Sequence, residues 1–145
     1  MEFQQVQAFM DHPMFESYEI RPANFCHTER QQWIFATRHG LEVSVTRGST
    51  TFGGSQGLFE LAILEDGRCC YTTPITSDVL GYLSESEVLE TLDRAAMLIQ
   101  RDGEWVYAES EEEADNDAFI THLADVAVTA LLIDLFRDNE EEVDV

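Results

Sequence analysis

Apolar and polar residues alternate along 41–46, which reads Leu-Glu-Val-Ser-Val-Thr. A two-residue period is typical of a strand with one buried face. An apolar run at 33–38 precedes this segment, and His39-Gly40 between the two favours a tight turn. The pattern therefore predicts an antiparallel hairpin that pairs 33–38 with 41–47 through a two-residue turn.

A second hairpin is predicted around Asp66-Gly67, the strongest short turn signal in the chain. It pairs residues 58–65 with residues 68–73. Residues 18–21 are expected to add an edge strand to the same sheet.

Helical signals follow these strands. Thr76 or Ser77 is placed to cap a short turn through 78–83. Ser84 and Glu87 form a capping box, which predicts that a longer helix begins there. Its apolar positions recur every three or four residues until Arg101-Asp102-Gly103 ends it. These positions are Val88, Leu89, Leu92, Ala95, Ala96 and Ile99.

Three further elements complete the prediction. Residues 3–10 form a short helix that stops before His12-Pro13, because the residue before a proline avoids helical backbone. Residues 104–108 form a short strand. Asn116 or Asp117 caps a last helix that extends to Phe136.

Strands precede helices in this order, which is typical of an α+β fold. We expect an antiparallel sheet of about four to six strands, with two hairpins, followed by helices packed on one face. Residues 1–108 are expected to form this α+β core. Residues 109–145 contribute an acidic segment, an apolar C-terminal helix and an acidic tail to the same domain.

The charge of the chain excludes several functions. It has 8 basic and 29 acidic residues, a net charge of −21, and every basic residue is an arginine. Without lysine, a phosphate-loop lysine and a lysine Schiff base are excluded. Because a surface this negative repels phosphate backbones and anionic membranes, we expect no direct binding to nucleic acid and none to membranes. Basic proteins are the expected partners.

The sequence predicts a cytoplasmic protein. Its first residues lack the basic and apolar regions of a secretion signal. The apolar segment 118–136 is long enough to cross a bilayer, but His122, Asp125 and Asp134 oppose insertion. We expect this segment to be a buried helix of a soluble protein, with the cysteines reduced.

Residues with catalytic or ligand-binding chemistry do not form a convincing motif. The glycine-rich segment 48–57 lacks lysine and connects two strands, so a flexible connection is expected, with weak anion binding by its amides as the alternative. Cys26-His27 with Cys69 or Cys70 offers metal-binding chemistry, but free thiols and surface histidines are the expectation. We therefore predict no metal, no cofactor and no catalytic residue, and do not expect an enzyme.

Two acidic clusters, 109–117 and 138–144, set this chain apart. Residues 102–145 carry −14 of the net charge of −21. Magnitudes of about 2–8 keep a small domain soluble, so the excess favours an interaction over a merely solvated tail. A duplex carries one negative charge per about 1.7 Å, which closely spaced carboxylates imitate. Four acids on the helix after Ser84 extend such a surface: Glu85, Glu87, Glu90 and Asp93.

The predicted partner-binding residues are the acids of these clusters and two nearby aromatic residues. The aromatic residues are candidate anchors for a partner, with core packing as the alternative. The predicted set comprises Glu109, Glu111, Glu112, Glu113, Asp115, Asp117, Asp138, Glu140, Glu141, Glu142, Trp105 and Tyr107.

The middle of the chain resembles small acidic proteins encoded by phages, prophages and mobile elements, most of which have no assigned function. The resemblance covers about residues 33–98. It is carried by FGGSQGLFELA at 52–62, EDG at 65–67, YTTPIT at 71–76 and DVLGYL at 78–83. It implies a genetic setting in which small acidic proteins inhibit host nucleases, including CRISPR effectors and restriction enzymes.

Charge and resemblance together predict a non-enzymatic inhibitor that blocks the nucleic-acid-binding surface of a host defence nuclease or CRISPR complex by phosphate mimicry. The alternative is a small regulatory or assembly module. Such a module would bind a protein partner, or a second copy to form a homodimer, through the apolar surface of the last helix.

Overall fold

A six-stranded antiparallel sheet is the centre of this fold, as the alternating pattern predicts. The computed structural model describes residues 3–22 and 29–115. Its sheet strands are β1 (Phe15–Pro22), β2 (Glu29–Ala36), β3 (Leu41–Gly48), β4 (Phe59–Glu65), β5 (Arg68–Cys69) and β6 (Leu80–Leu83). Strands β1 to β5 are neighbours in chain order, and β6 also pairs with β4.

In residues 3–22 and 29–108, the remaining elements are two helices, a 3₁₀ turn and a small second sheet. They are α1 (Gln7–Met10), the 3₁₀ turn Gly54–Gln56, α2 (Glu85–Ala95), β7 (Leu98–Arg101) and β8 (Glu104–Tyr107). Strands β7 and β8 pair with each other. The α+β class is confirmed.

The chain divides into two compact units, residues 1–108 and residues 109–145. The sheets and helices α1 and α2 belong to the first unit. In the second unit, residues 111–115 are helical. The predicted helix segment 118–136 lies outside the described residues.

Both predicted hairpins are confirmed, with a different first turn and a shorter final strand. Asp66 and Gly67 both have positive φ, 53° and 78°, as a tight hairpin turn requires. The strand after them is only β5, shorter than predicted. The turn between β2 and β3 spans four residues, 37–40, and the Thr37 amide donates to the Leu41 carbonyl at 2.8 Å.

The predicted helical turn at 78–83 is wrong, because the chain there forms strand β6 against β4. The Thr76 hydroxyl accepts from the Asp78 amide at 2.9 Å, and the Asp78 carboxylate accepts from the Val79 amide at 2.7 Å. These bonds make a local turn that does not continue as a helix. Pairing with β4 satisfies the backbone instead, so a long-range contact overrides the capping signal.

Helix α2 begins as predicted and ends earlier. The Ser84 side chain accepts from the Glu87 amide and the Glu87 side chain from the Ser84 amide, which is a complete capping box. The helix ends at Ala95, so Ile99 lies on β7, and the prediction that the helix extends to Arg101 is wrong. Asp102 and Gly103, with φ of 55° and 81°, form a hairpin turn to β8.

An aromatic cluster joins α1 to the centre of the sheet. The Phe9 ring is fully buried and lies 5.3 Å from Trp33, 6.0 Å from Phe35 and 5.0 Å from Phe59, all edge to face. The buried residues of α2 join the same core. Helices α1 and α2 therefore cover one face of the sheet, as predicted.

Arg47 covers the end of this cluster. Its guanidinium carbon lies 4.8 Å from the Phe59 ring centroid and 5.6 Å from that of Trp33. The Arg47 side chain donates to the Gln31 side chain at 2.9 Å and to the Gln4 carbonyl at 2.7 Å. Burial lowers the pKa of Arg47. The cation is thus held by ring faces and neutral oxygens, with the charge of Glu85 nearby.

Within residues 3–22 and 29–115, none of the helices has the length and hydropathy to cross a bilayer.

Phe9→Ala is expected to destabilise the protein by about 3–5 kcal/mol, because it removes a fully buried ring from the core. Urea denaturation followed by tryptophan fluorescence measures this change. Phe52→Ala is the matched control, because Phe52 is exposed and its loss should cost under about 1 kcal/mol. Equal losses for the two variants would show that α1 is not docked through Phe9.

Candidate functional site

The first acidic cluster begins a helix, and one of its acids has a structural role. The Ser110 hydroxyl accepts from the Glu113 amide at 3.0 Å, and the Glu113 carboxylate accepts from the Glu109 amide at 2.9 Å. Residues 111–115 are helical, and the predicted caps Asn116 and Asp117 lie outside the described residues. Carboxylates in a first turn also favour the positive end of the helix dipole.

The acids around this cap are exposed. Glu109, Glu111, Glu112 and Asp115 are exposed, and Glu113 is half-buried. Because successive helical residues rise by only about 1.5 Å, the Glu111 and Glu112 carboxylates lie within one turn. The other predicted binding acids lie outside the described residues: Asp117, Asp138, Glu140, Glu141 and Glu142.

The two aromatic candidates pack into the first unit. Trp105 is 7% exposed and belongs to the core, and its indole donates to the Glu65 carboxylate at 3.4 Å. Tyr107 is half-buried and packs against the same core. Trp105 therefore does not present its ring to a partner, which agrees with the core-packing alternative.

Helix α2 carries a second row of exposed carboxylates. Glu85, Glu87, Glu90 and Asp93 are all exposed, as expected for the outer face of an amphipathic helix. Hydrogen bonds from Ser84 lower the pKa of Glu87, which is therefore also a capping residue. The Asp93 carboxylate lies 3.7 Å from the His12 imidazole. Glu87 and Asp93 therefore contact other residues of the chain as well as solvent.

The sheet face opposite the aromatic cluster carries a chain of hydrogen bonds across strands. Arg21 on β1 donates to the Gln32 side chain at 3.1 Å, and Gln32 donates to the Ser44 hydroxyl at 2.9 Å. Arg21 also lies 3.6 Å from the Glu19 carboxylate. Since Gln32 and Ser44 are buried, these bonds satisfy groups that water does not reach.

Glu60 continues this polar face on β4. It accepts from the Thr46 hydroxyl at 3.2 Å. Burial raises the pKa of Glu60, although the Thr46 bond and the charge of Arg30 act to lower it. The Arg30 Nε atom is buried and has no hydrogen-bond partner among the described residues.

The two described cysteines are free, and one is accessible. Cys69 is exposed and Cys70 is buried, as expected for adjacent strand residues. The Cys70 sulfur lies 3.6 Å from the Glu65 carboxylate and 3.4 Å from the Thr72 hydroxyl. Cys69 and Cys70 line an open pocket of about 620 Å³. The described residues that line this pocket include no histidine that could activate a thiol. Cys26 and His27 lie outside the described residues.

The glycine-rich segment is ordered by its own contacts. The Thr51 hydroxyl accepts from the Gly48 amide at 2.9 Å. A Cβ on Gly54 would lie 1.7 Å from the Gly48 carbonyl, so this glycine is required by close packing. The turn therefore closes on itself, which differs from the predicted flexible connection.

Sequence reasoning missed a contact between the two ends of the motif described above. The Tyr82 amide donates to the Phe52 carbonyl at 3.1 Å, and both side chains are exposed. The available signal was a glycine beside each aromatic residue, Gly53 and Gly81, but the residues are too far apart in sequence to predict the contact.

Fold and surface together define an α+β protein with exposed acidic helices. In the ranges 3–22 and 29–115, no group of three histidine, cysteine, aspartate or glutamate side chains is arranged to hold a metal ion. Neither a protein-family model, nor a curated protein, nor a solved structure matches this chain.

Glu60→Gln is expected to stabilise the protein at neutral pH. Because burial raises the pKa of Glu60, its ionised form is less favourable in the folded protein than in the unfolded chain. This unfavourable contribution grows as the pH rises through the raised pKa and is absent below the ordinary carboxyl pKa. Glutamine keeps an acceptor for Thr46 without the charge.

Urea denaturation of both proteins over a range of pH measures this effect. The advantage of the variant should shrink as the pH is lowered towards about 4. Glu16→Gln is the matched control, because Glu16 is exposed on the edge strand. A variant less stable than the wild type at neutral pH would contradict the prediction.

Proposed function

We propose that this chain is a non-enzymatic acidic inhibitor that binds a basic nucleic-acid-binding surface and blocks it. The observation that carries the proposal is the exposed, capped helical start at 109–115, where Glu111 and Glu112 face solvent within one turn. The net charge of −21 strengthens the attraction of this surface for a basic partner.

Phosphate mimicry explains why such a surface is useful. A nucleic-acid-binding groove attracts closely spaced negative charges and releases counterions when it is occupied. Carboxylates held on a capped helix offer that spacing without ordering a flexible tail at the moment of binding. Long-range attraction also speeds the encounter with a basic partner.

The acidic row on α2 is a second acidic surface, in the first unit. Glu90 and Asp93 are exposed on a helix whose other face is anchored in the core by Val88 and Leu92. Like charges three residues apart oppose helix formation by a few tenths of a kcal/mol. A basic partner would remove this repulsion when it binds.

The partner class follows from the charge and from the resemblance to phage-encoded proteins. A host defence nuclease or a CRISPR complex presents the required basic groove, and the inhibitor would act in the host cytoplasm. The tagged protein should recover such a complex from a bacterial lysate at low salt and lose it at high salt. Added duplex DNA should also displace it. A partner that resists both salt and DNA would contradict mimicry.

Neutralising Glu111 and Glu112 together (E111Q/E112Q) is expected to weaken binding to the recovered partner by up to about tenfold at low salt. The slope of log affinity against log salt should also fall, by about one for each carboxylate that replaces a phosphate. Glu113 is left intact because it caps the helix. Binding is measured by titration at several salt concentrations.

The matched control removes the same charge from the first unit. Glu16 and Asp66 are exposed on the edge strand and in a hairpin turn, and asparagine suits that turn as well as aspartate does. E16Q/D66N should reduce affinity much less than E111Q/E112Q. Equal losses would show that only total charge matters and would contradict a defined acidic site.

A further inference from the structure

Two large aromatic side chains are exposed at one place in the fold. Phe52 and Tyr82 are each 57% exposed, although rings of this size are usually buried. They lie on different segments, the loop after β3 and strand β6, and the Tyr82 amide donates to the Phe52 carbonyl. We call them the aromatic pair.

The backbone at Tyr82 is strained. Its φ is 57°, in the left-handed region that bulky side chains avoid. The other described non-glycine residues with positive φ are Asp66 and Asp102, which occupy Asp-Gly hairpin turns where aspartate is tolerated. Tyr82 has no glycine after it and no such turn. Strain of this kind persists only where surrounding contacts hold it.

Two glycines hold the pair in place. A Cβ on Gly81 would lie 2.5 Å from the Phe52 Cβ, and a Cβ on Gly53 would lie 2.9 Å from the Tyr82 Cα. Larger residues at either position would push the two segments apart. Close packing thus fixes the backbone from which both rings project, and both side chains are exposed.

We propose that the aromatic pair binds arginine side chains of the basic partner. The inference rests on the proposed function and adds a short-range contact to it. Arginine stacks on ring faces and is the cation best suited to this geometry. The chain already contains such a contact, since the Arg47 guanidinium lies 4.8 Å from the Phe59 ring centroid.

Charge complementarity supports this occupant. Exposed carboxylates stand on both sides of Tyr82 in the sequence, Asp78 before β6 and Glu85 at the start of α2. Together with the net charge of −21, they make the surroundings of the rings favourable for a cation. A second copy of a chain with net charge −21 would be repelled.

The test compares an oligo-arginine peptide with an oligo-lysine peptide of the same length at constant ionic strength. Both peptides meet the acidic surface, but only arginine stacks well on the rings. F52A/Y82N should lower affinity for the arginine peptide about tenfold and for the lysine peptide less than about twofold. Ring-proton resonances of Phe52 and Tyr82 should shift when the arginine peptide binds.

Control variants separate binding from folding. Asparagine adopts positive φ more readily than tyrosine, so Tyr82→Asn should keep or raise the melting temperature. F52Y/Y82F retains both rings and should retain the preference for arginine. E111Q/E112Q should weaken binding of both peptides similarly. These variants therefore distinguish a failure of the proposal for the aromatic pair from a failure of the proposal for the acidic cluster.

Two results would overturn the inference. One is a preference for arginine that is unchanged in F52A/Y82N, which would assign it to carboxylates alone. The other is a homodimer, seen by sedimentation, that F52A/Y82N dissociates, which would assign the pair to self-association. Loss of the preference in F52A/Y82N with the folded state intact, and its retention in F52Y/Y82F, would support it.

Discussion

Edge-to-face packing of Phe9 against Trp33 and Phe59 is the contact on which the first unit depends. These rings come from α1, β2 and β4, and their centroids lie 5.0 to 5.7 Å apart. Each ring alone would be a poor anchor, because α1 has only four residues and cannot be stable in isolation. Together they bury one face of the sheet, with the Arg47 guanidinium over Phe59 and Trp33.

The surface outside this core is strongly acidic. Self-repulsion at a net charge of −21 opposes folding, and the 8 arginines offset little of it, because 29 acidic residues outnumber them. Arg47 packs on the rings of the aromatic core. Arg21 hydrogen-bonds to the neutral side chain of Gln32, and Arg94 to that of Thr91. So unbalanced a surface is understandable if a cationic partner relieves the repulsion.

Local patterns predicted the sheet, and long-range contacts decided the rest. Alternation along 41–46 and the capping box at Ser84 are local signals, and both elements are confirmed. The same Asp-Gly dipeptide occurs at Asp66 and Asp102, but the sequence predicts a helix end at the second, because apolar residues at helical spacing continue from α2 to Ile99. For β6 and the aromatic pair, the deciding partner is distant in sequence, so periodicity carries no information about it.

An acidic surface and an exposed aromatic pair have complementary physical roles. Carboxylates act over about 10 Å, lose strength in salt and attract any basic groove, so by themselves they select a partner weakly. Aromatic rings attract a cation only at contact distance, and the strength of this attraction depends on the shape and type of the cation. The positive φ of Tyr82 and the close approach at Gly81 hold such rings where a partner can reach them. If the proposed function is correct, this second kind of contact would supply the selectivity, because every nucleic-acid-binding protein offers a basic groove to the carboxylates.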